Sequence, residues 1–389
     1  MVFLRRLKTA IKLIKGKRWG YFKDKLPMYK KIISITNLFP HPNKYKYILL
    51  GGHGLGMTAF KYYLNKLGAS PKEIFSYEIV RAFVFYENFD GLSLDKSPLN
   101  SDINSIMKKC NKKVPIYQIV RCPIEVIKSN INVQMFHALS KVNSKEDSND
   151  MLFKLVNNIP HLMFYFKSMR NLVNHMAMNI NYITMKDIND ENIYSTLQKF
   201  ANEIGYNYEN IANRGGQQES AIKGSLFPRC FPQIFNIEGS NFIISTYSRL
   251  NTNSIKEIDM GGDVTQVRKP YIGPYYVIDE NIIVDKYEAY PLILASIDNK
   301  NNVLNIKKAK EYVNEYIDYV INSIAKHNNF IFDEDRVIDT LLQDRELSLK
   351  LATKMNDELF YIKKEIPEIF DSFKYTKQFL EKCNIDFII

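Results

Sequence analysis

Only four of the 389 residues are cysteine, one is tryptophan, and no apolar run reaches the roughly 18 to 20 residues that a membrane-spanning helix needs. Cys110, Cys122, Cys230 and Cys383 show no CxxC or Cys/His spacing, which argues against a zinc site and suits a reducing compartment. No metal is expected. The first residues also lack the apolar core of about 7 to 15 residues that marks a secretory signal, so the expected location is cytoplasmic. There is no internal repeat at periods of roughly 20 to 50 residues, and no low-complexity linker. What is present is ordinary globular composition, 46% apolar and 24% charged, in a chain long enough for one large α/β domain with appendages or for two domains.

Charge is distributed unevenly. The net +11 includes eleven Lys or Arg against one acid in residues 1–31, whereas residues 331–389 carry thirteen acids against nine bases. The basic residues near the start interleave with Phe3, Leu4, Leu7, Ile11, Leu13, Ile14 and Trp19. That pattern predicts an amphipathic helix over part of residues 1–43, able to lie on an anionic membrane surface from the cytoplasmic side. No nucleic-acid reader motif accompanies the charge, so nucleic acid is not an expected partner.

From residue 44 the hydrophobic pattern alternates between strand and helix, which predicts a parallel sheet flanked by helices over residues 44–213. Strands are expected at Tyr45 to Leu50, Ile74 to Tyr77, Val114 to Val120 and Ile180 to Met185. Helices are expected from Thr58 to Leu67, from Pro123, from Met151 to Met176 and from Glu191 to Gly205. Residues 214–389 read differently, as a hairpin and helical addition shaping an acceptor site. Ile234 to Glu238 and Asn241 to Thr246 form a hairpin pattern around Gly239-Ser240. Tyr275 to Asp279 with Ile282 to Asp285 suggests another, and Leu304 to Lys326 has helical spacing. The Tyr271 to Tyr276 stretch could stack on a sugar ring, or simply pack.

The chemistry-bearing segment is Gly51-Gly52-His53-Gly54-Leu55-Gly56-Met57-Thr58, between the first strand and its helix. Glycines there let backbone N–H groups approach a phosphate, and a helix N-terminus favours negative charge. The spacing is that of GxxxxGK[ST], with Met57 standing where the lysine belongs. Further on, Arg121 at a strand end offers a fork of donors, and Ser129 on the following helix offers a hydroxyl.

Together these segments resemble the sulfotransferase family. Its first loop, roughly Pro-Lys-Ser-Gly-Thr-Thr, corresponds to His53-Gly54-Leu55-Gly56-Met57-Thr58. Its Val-Arg-Asp-Pro-x-Asp-Val-x-x-Ser segment is similar to Val120-Arg121-Cys122-Pro123-Ile124-Glu125-Val126-Ile127-Lys128-Ser129. The Tyr182 to Ile188 segment resembles its Tyr-Glu-Asp-Leu strand, and Phe75-Ser76-Tyr77-Glu78 resembles its carboxylate-bearing segment. The resemblance covers about residues 44–210 and implies a P-loop α/β fold that uses 3′-phosphoadenosine 5′-phosphosulfate (PAPS), leaving adenosine 3′,5′-bisphosphate (PAP). It implies that Gly52, Gly54, Leu55, Gly56, Met57 and Thr58 line the 5′-phosphate, and that Arg121 and Ser129 hold the 3′-phosphate. Glu78 or His53 would serve as the base.

The departures are informative too. Gly54 stands in the place of the family's loop lysine, Cys122 replaces the usual Asp, and Arg214-Gly215-Gly216 only faintly echoes a late phosphate segment. Another cation must then compensate, with Lys128, Arg81 and His53 nearest in sequence, or the donor differs. The whole chain is also similar to a group of sugar and phosphoramidate transferases from bacterial surface-glycan loci. The expectation is a transferase that moves a sulfuryl group from a nucleotide donor to a hydroxyl of a surface saccharide or its lipid-linked precursor. The alternatives are a CDP- or UDP-linked donor on the same fold, and a non-catalytic nucleotide-binding assembly protein.

Overall fold

The computed structural model describes residues 45–52, 54–73, 90–94, 104, 107–108, 110–137, 144–157, 164–189, 191–208, 227–246, 250–251, 271–272, 275–285, 287–288, 291–297 and 303–385. The basic segment at 1–43, the strand expected at Ile74 to Tyr77, and the residues His53, Glu78, Arg81 and Arg214 to Gly216 lie outside them. No helix among the described residues is long and apolar enough to cross a membrane.

Along the chain, strand β1 (Tyr47–Leu50) leads into helix α1 (Met57–Leu67) and then β2 (Pro71–Glu73), β3 (Gly91–Leu94) and β4 (Val114–Ile119). Helix α2 (Pro123–His137) follows β4, then α3 (Lys145–Asn157), α4 (Phe166–Val173), β5 (Ala177–Ile183), α5 (Met185–Ile188) and α6 (Ile193–Ile204). Next come β6 (Gln233–Ile237), β7 (Ser240–Thr246), β8 (Leu250–Asn251), β9 (Tyr271–Ile272), β10 (Tyr276–Ile282), β11 (Leu292–Ser296) and the 26-residue α7 (Val303–Asn328). The chain closes with α8 (Glu334–Leu341), α9 (Arg345–Glu358), α10 (Phe360–Glu365), α11 (Pro367–Ser372) and α12 (Lys374–Lys382).

The chain is α/β and divides into two compact units, one of residues 1–128, 155–215 and 334–389, the other of residues 129–154 and 216–333. The first unit holds a five-stranded parallel sheet in the order β2-β3-β1-β4-β5. β1 and β4 lie inside it and are buried along their whole length, which is why both read as continuous apolar runs rather than alternating ones. β5 is an edge strand, and its buried and exposed positions mix accordingly. One face is closed by an aromatic cluster in which Phe200 of α6 packs edge-on against Tyr47 and Phe60. Helices α8 to α12 belong to this unit. They deliver polar side chains to its helix ends: Glu358, fully buried, accepts the backbone N–H of Ser168 at 3.0 Å and so caps α4. Lys354 neutralises that carboxylate at 2.6 Å.

The second unit is built on a four-stranded antiparallel sheet in the order β10-β11-β7-β6. Val313, Val320 and Ile324 of α7 share one core with Phe235, Phe242, Leu292 and Leu294, so the period of the helix and that of the strands meet on one apolar face. The expected β6–β7 hairpin is present, but its turn is Glu238-Gly239, one residue earlier than Gly239-Ser240. Both turn residues have positive φ, 47° and 85°, as a type I′ turn demands, and Ser240 is already paired with Ile237. The second expected hairpin does not form. Tyr276 to Ile282 is one strand whose irregularities, including Asn281 at φ 61°, are absorbed as bulges against β11. Tyr275 packs beside Ile234, Ile243 and Ile293.

Candidate functional site

β1 is the point at which the sheet changes direction. The chain leaves β1 towards β2 and β3 on one side and leaves β4 towards β5 on the other, although β1 and β4 are neighbours. In open parallel sheets such a reversal leaves a crevice beyond the carboxyl ends of the two strands, where ligands bind. The segments that leave those two strand ends are the glycine loop after β1 and Val120 to Pro123 after β4.

The loop is shaped by its glycines. Gly54 and Gly56 have φ of 85° and 93°, a region that side-chain-bearing residues avoid, and they turn the chain into α1. The Gly56 carbonyl accepts the N–H of Phe60 at 3.0 Å, which starts the helix. Among the described residues no side chain caps this N-terminus, and its first turn carries no acid. Thr58 is exposed there, Gly52 and Leu55 are buried, and Met57 is 3% exposed. The Met57 side chain turns into the core: a Cβ placed on Gly51 would come within 3.0 Å of its methyl carbon. Of the expected ligand residues, Met57 therefore offers its backbone and not its side chain.

The adjacent α2 N-terminus is built in the opposite way. Cys122, 3% exposed, precedes Pro123, and its sulfur accepts the backbone N–H of Glu125, so it acts as the helix cap. Thr376, on α12 and 254 residues away, places its hydroxyl 3.1 Å from that sulfur and 3.3 Å from the N–H of Ile124, which donates to it. Burial pushes the Cys122 thiol pKa upward, so the cap is uncharged.

Arg121 joins the two strand ends. Its Nη1 donates to the Gly54 carbonyl at 2.8 Å and its Nε to Glu125 Oε2 at 3.0 Å, with the two side chains 18% and 31% exposed. The guanidinium thus rests on the backbone of Gly54, where the sulfotransferase resemblance led to the expectation of a lysine. Lys128, one of the cations expected to compensate, is tied to Glu334 of α8 at 2.5 Å. Ser129 is half-buried on α2, six residues beyond Pro123 and so about 9 Å further along the axis. Among the described residues no group of three His, Cys, Asp or Glu is placed to hold a metal ion.

The fold thus brings Gly54 and Arg121 together and sets Ser129 apart along α2. Sequence reading overlooked Glu125 and Thr376. Glu125 left a signal, since an acid four residues after an arginine at a helix start forms an (i, i+4) pair. Thr376 left none, because its partner is 254 positions away.

These features define an α/β protein whose five-stranded parallel sheet reverses its strand order between β1 and β4. A family model described as a protein of unknown function (DUF2972) matches residues 182–385, just over half of the chain, and the chain belongs to that family. The match contains Thr376, Glu334 and Glu358, while the glycine loop and Arg121 precede it. No curated protein and no solved structure matched the chain.

Proposed function

We propose that this chain is a group transferase that binds the phosphate of a nucleotide donor in the β1/β4 crevice, and that the transferred group is a sulfuryl carried by PAPS to a saccharide hydroxyl. The observation that carries the reading is the 2.8 Å hydrogen bond from Arg121 to Gly54, which couples a guanidinium to a glycine-rich helix start, capped by no side chain among the described residues, at the switch point of a parallel sheet. Two anion-favouring features, backbone N–H groups and an arginine fork, converge there. The donor set fits a phosphate: the first turn of α1 brings no carboxylate, and Glu125 is the one acid in contact with the guanidinium among the described residues.

When bound, the donor supplies the sulfuryl group. The chain would supply the rest. The α1 N-terminus and Arg121 neutralise phosphate charge, and Glu78 or His53 takes the proton of the acceptor hydroxyl. The basic, apolar segment at 1–43 brings the enzyme to a lipid-linked acceptor at an anionic membrane surface.

Calorimetric titration of the full chain with PAP, CDP and UDP tests this. PAP should bind at least about ten-fold more tightly than the pyrimidine nucleotides, a difference of about 1.4 kcal/mol. Preference for CDP or UDP would replace the sulfuryl donor with a nucleotide-linked sugar or phosphoramidate. Absence of binding by all three would remove the transferase reading.

A further inference from the structure

Resting on the phosphate-site reading, we propose that Glu125 is a specificity-determining residue, an internal anion that occupies Arg121 and that a ligand phosphate must displace. Arg121 is caught between two acceptors. One is the Gly54 carbonyl at 2.8 Å, which fixes the guanidinium to the loop, and the other is the Glu125 carboxylate at 3.0 Å, which uses Nε. The carbonyl is neutral and backbone-bound, so it stays. The carboxylate sits on a side chain 31% exposed, in the first turn of α2, and can swing into water at little cost. It is therefore the partner that yields.

The exchange selects by charge. An anion that replaces Glu125 must offset the lost ion pair and face the departing carboxylate's residual repulsion, which favours a phosphomonoester carrying about −1.5 to −2 over a singly charged group. Among the described residues the loop carries no cationic side chain, and Lys128 on α2 is engaged by Glu334. Charge selection thus falls to the Arg121–Glu125 pair, four residues apart on one helix start.

Four proteins test this by calorimetry with PAP and adenosine 5′-phosphate: the unaltered chain, Glu125→Gln, Arg121→Ala and the double variant. Glu125→Gln should tighten binding roughly two- to five-fold, the worth of one partly exposed ion pair. Arg121→Ala should weaken it roughly 10- to 150-fold. In the Arg121→Ala background Glu125→Gln should give no gain. A gain for both ligands puts the displaced carboxylate's site at the loop phosphate, and a gain for PAP alone puts it at the 3′-phosphate. Unchanged or weaker binding by Glu125→Gln overturns the proposal while leaving the phosphate site in place, and so does a gain that persists without Arg121. No binding by the unaltered chain overturns both. Glu125→Ala serves as a second variant, with the unfolding midpoint of each protein measured to separate lost binding from lost fold.

Discussion

The two strand-to-helix junctions that meet at the switch point differ in how they treat the same problem, the unpaired N–H groups of a helix start. At α1 the chain turns on Gly54 and Gly56 and no described side chain caps the helix. At α2 the Cys122 sulfur and the Thr376 hydroxyl take the N–H groups of Glu125 and Ile124. Among the described residues, side chains answer the N–H groups of the α2 start and none answers those of the α1 start. If the chain binds a phosphate as proposed, the α1 end is the place for it, since an anion gains little where partners are already in place and most at a helix start that side chains leave unanswered.

The difference can be broken most sharply at Met57. Restoring the lysine of the GxxxxGK[ST] pattern with Met57→Lys puts an ammonium where a thioether is 3% exposed, and it should lower stability by about 2 to 4 kcal/mol in urea unfolding. Phosphate affinity should not rise. A stable variant with tighter nucleotide binding would show that the α1 junction is an ordinary phosphate loop lacking only its cation.

Uncapping the α2 start is the next largest change. Thr376→Val keeps the shape of the side chain but leaves the Ile124 N–H and Cys122 without the hydroxyl, at a cost of about 1 to 2 kcal/mol. Thr376→Ser should recover most of it. Equal unfolding midpoints for Val and Ser would mean that α2 does not depend on this cap. The smallest effect is expected at Thr58, exposed in the first turn of α1. Thr58→Ala should weaken nucleotide binding by about 0.5 to 1.5 kcal/mol and leave stability unchanged. A loss of stability without a loss of affinity would reverse the assignment of the two helix starts.

Much of the first unit was legible in the residues. The buried strand at Tyr47–Leu50, the helix stopped by Gly68 at φ 84°, the strand at Val114–Ile119 and the helix begun by Pro123 all lie within a residue or two of their sequence signals. These signals are local, since a glycine's φ and a proline's missing N–H act on their own neighbours. The hairpin turn slipped by one residue because Glu238 adopts positive φ, which side chain type does not advertise. Strand β11 went unread, because a short apolar run after a proline does not distinguish a strand from a buried turn of helix.

The sequence by itself determined the alternation of strand and helix and the glycine loop, because each depends on contacts within about one helical turn. Tertiary structure decided the rest. The strand order that sets β1 beside β4 brought Arg121 to Gly54 across 67 residues. The return of residues 334–389 to the first unit carried Thr376 to Cys122 and Glu334 to Lys128. Contacts over such separations are fixed only when the topology closes and the polar groups it buries must find partners, a requirement imposed by the folded state that no single segment can announce.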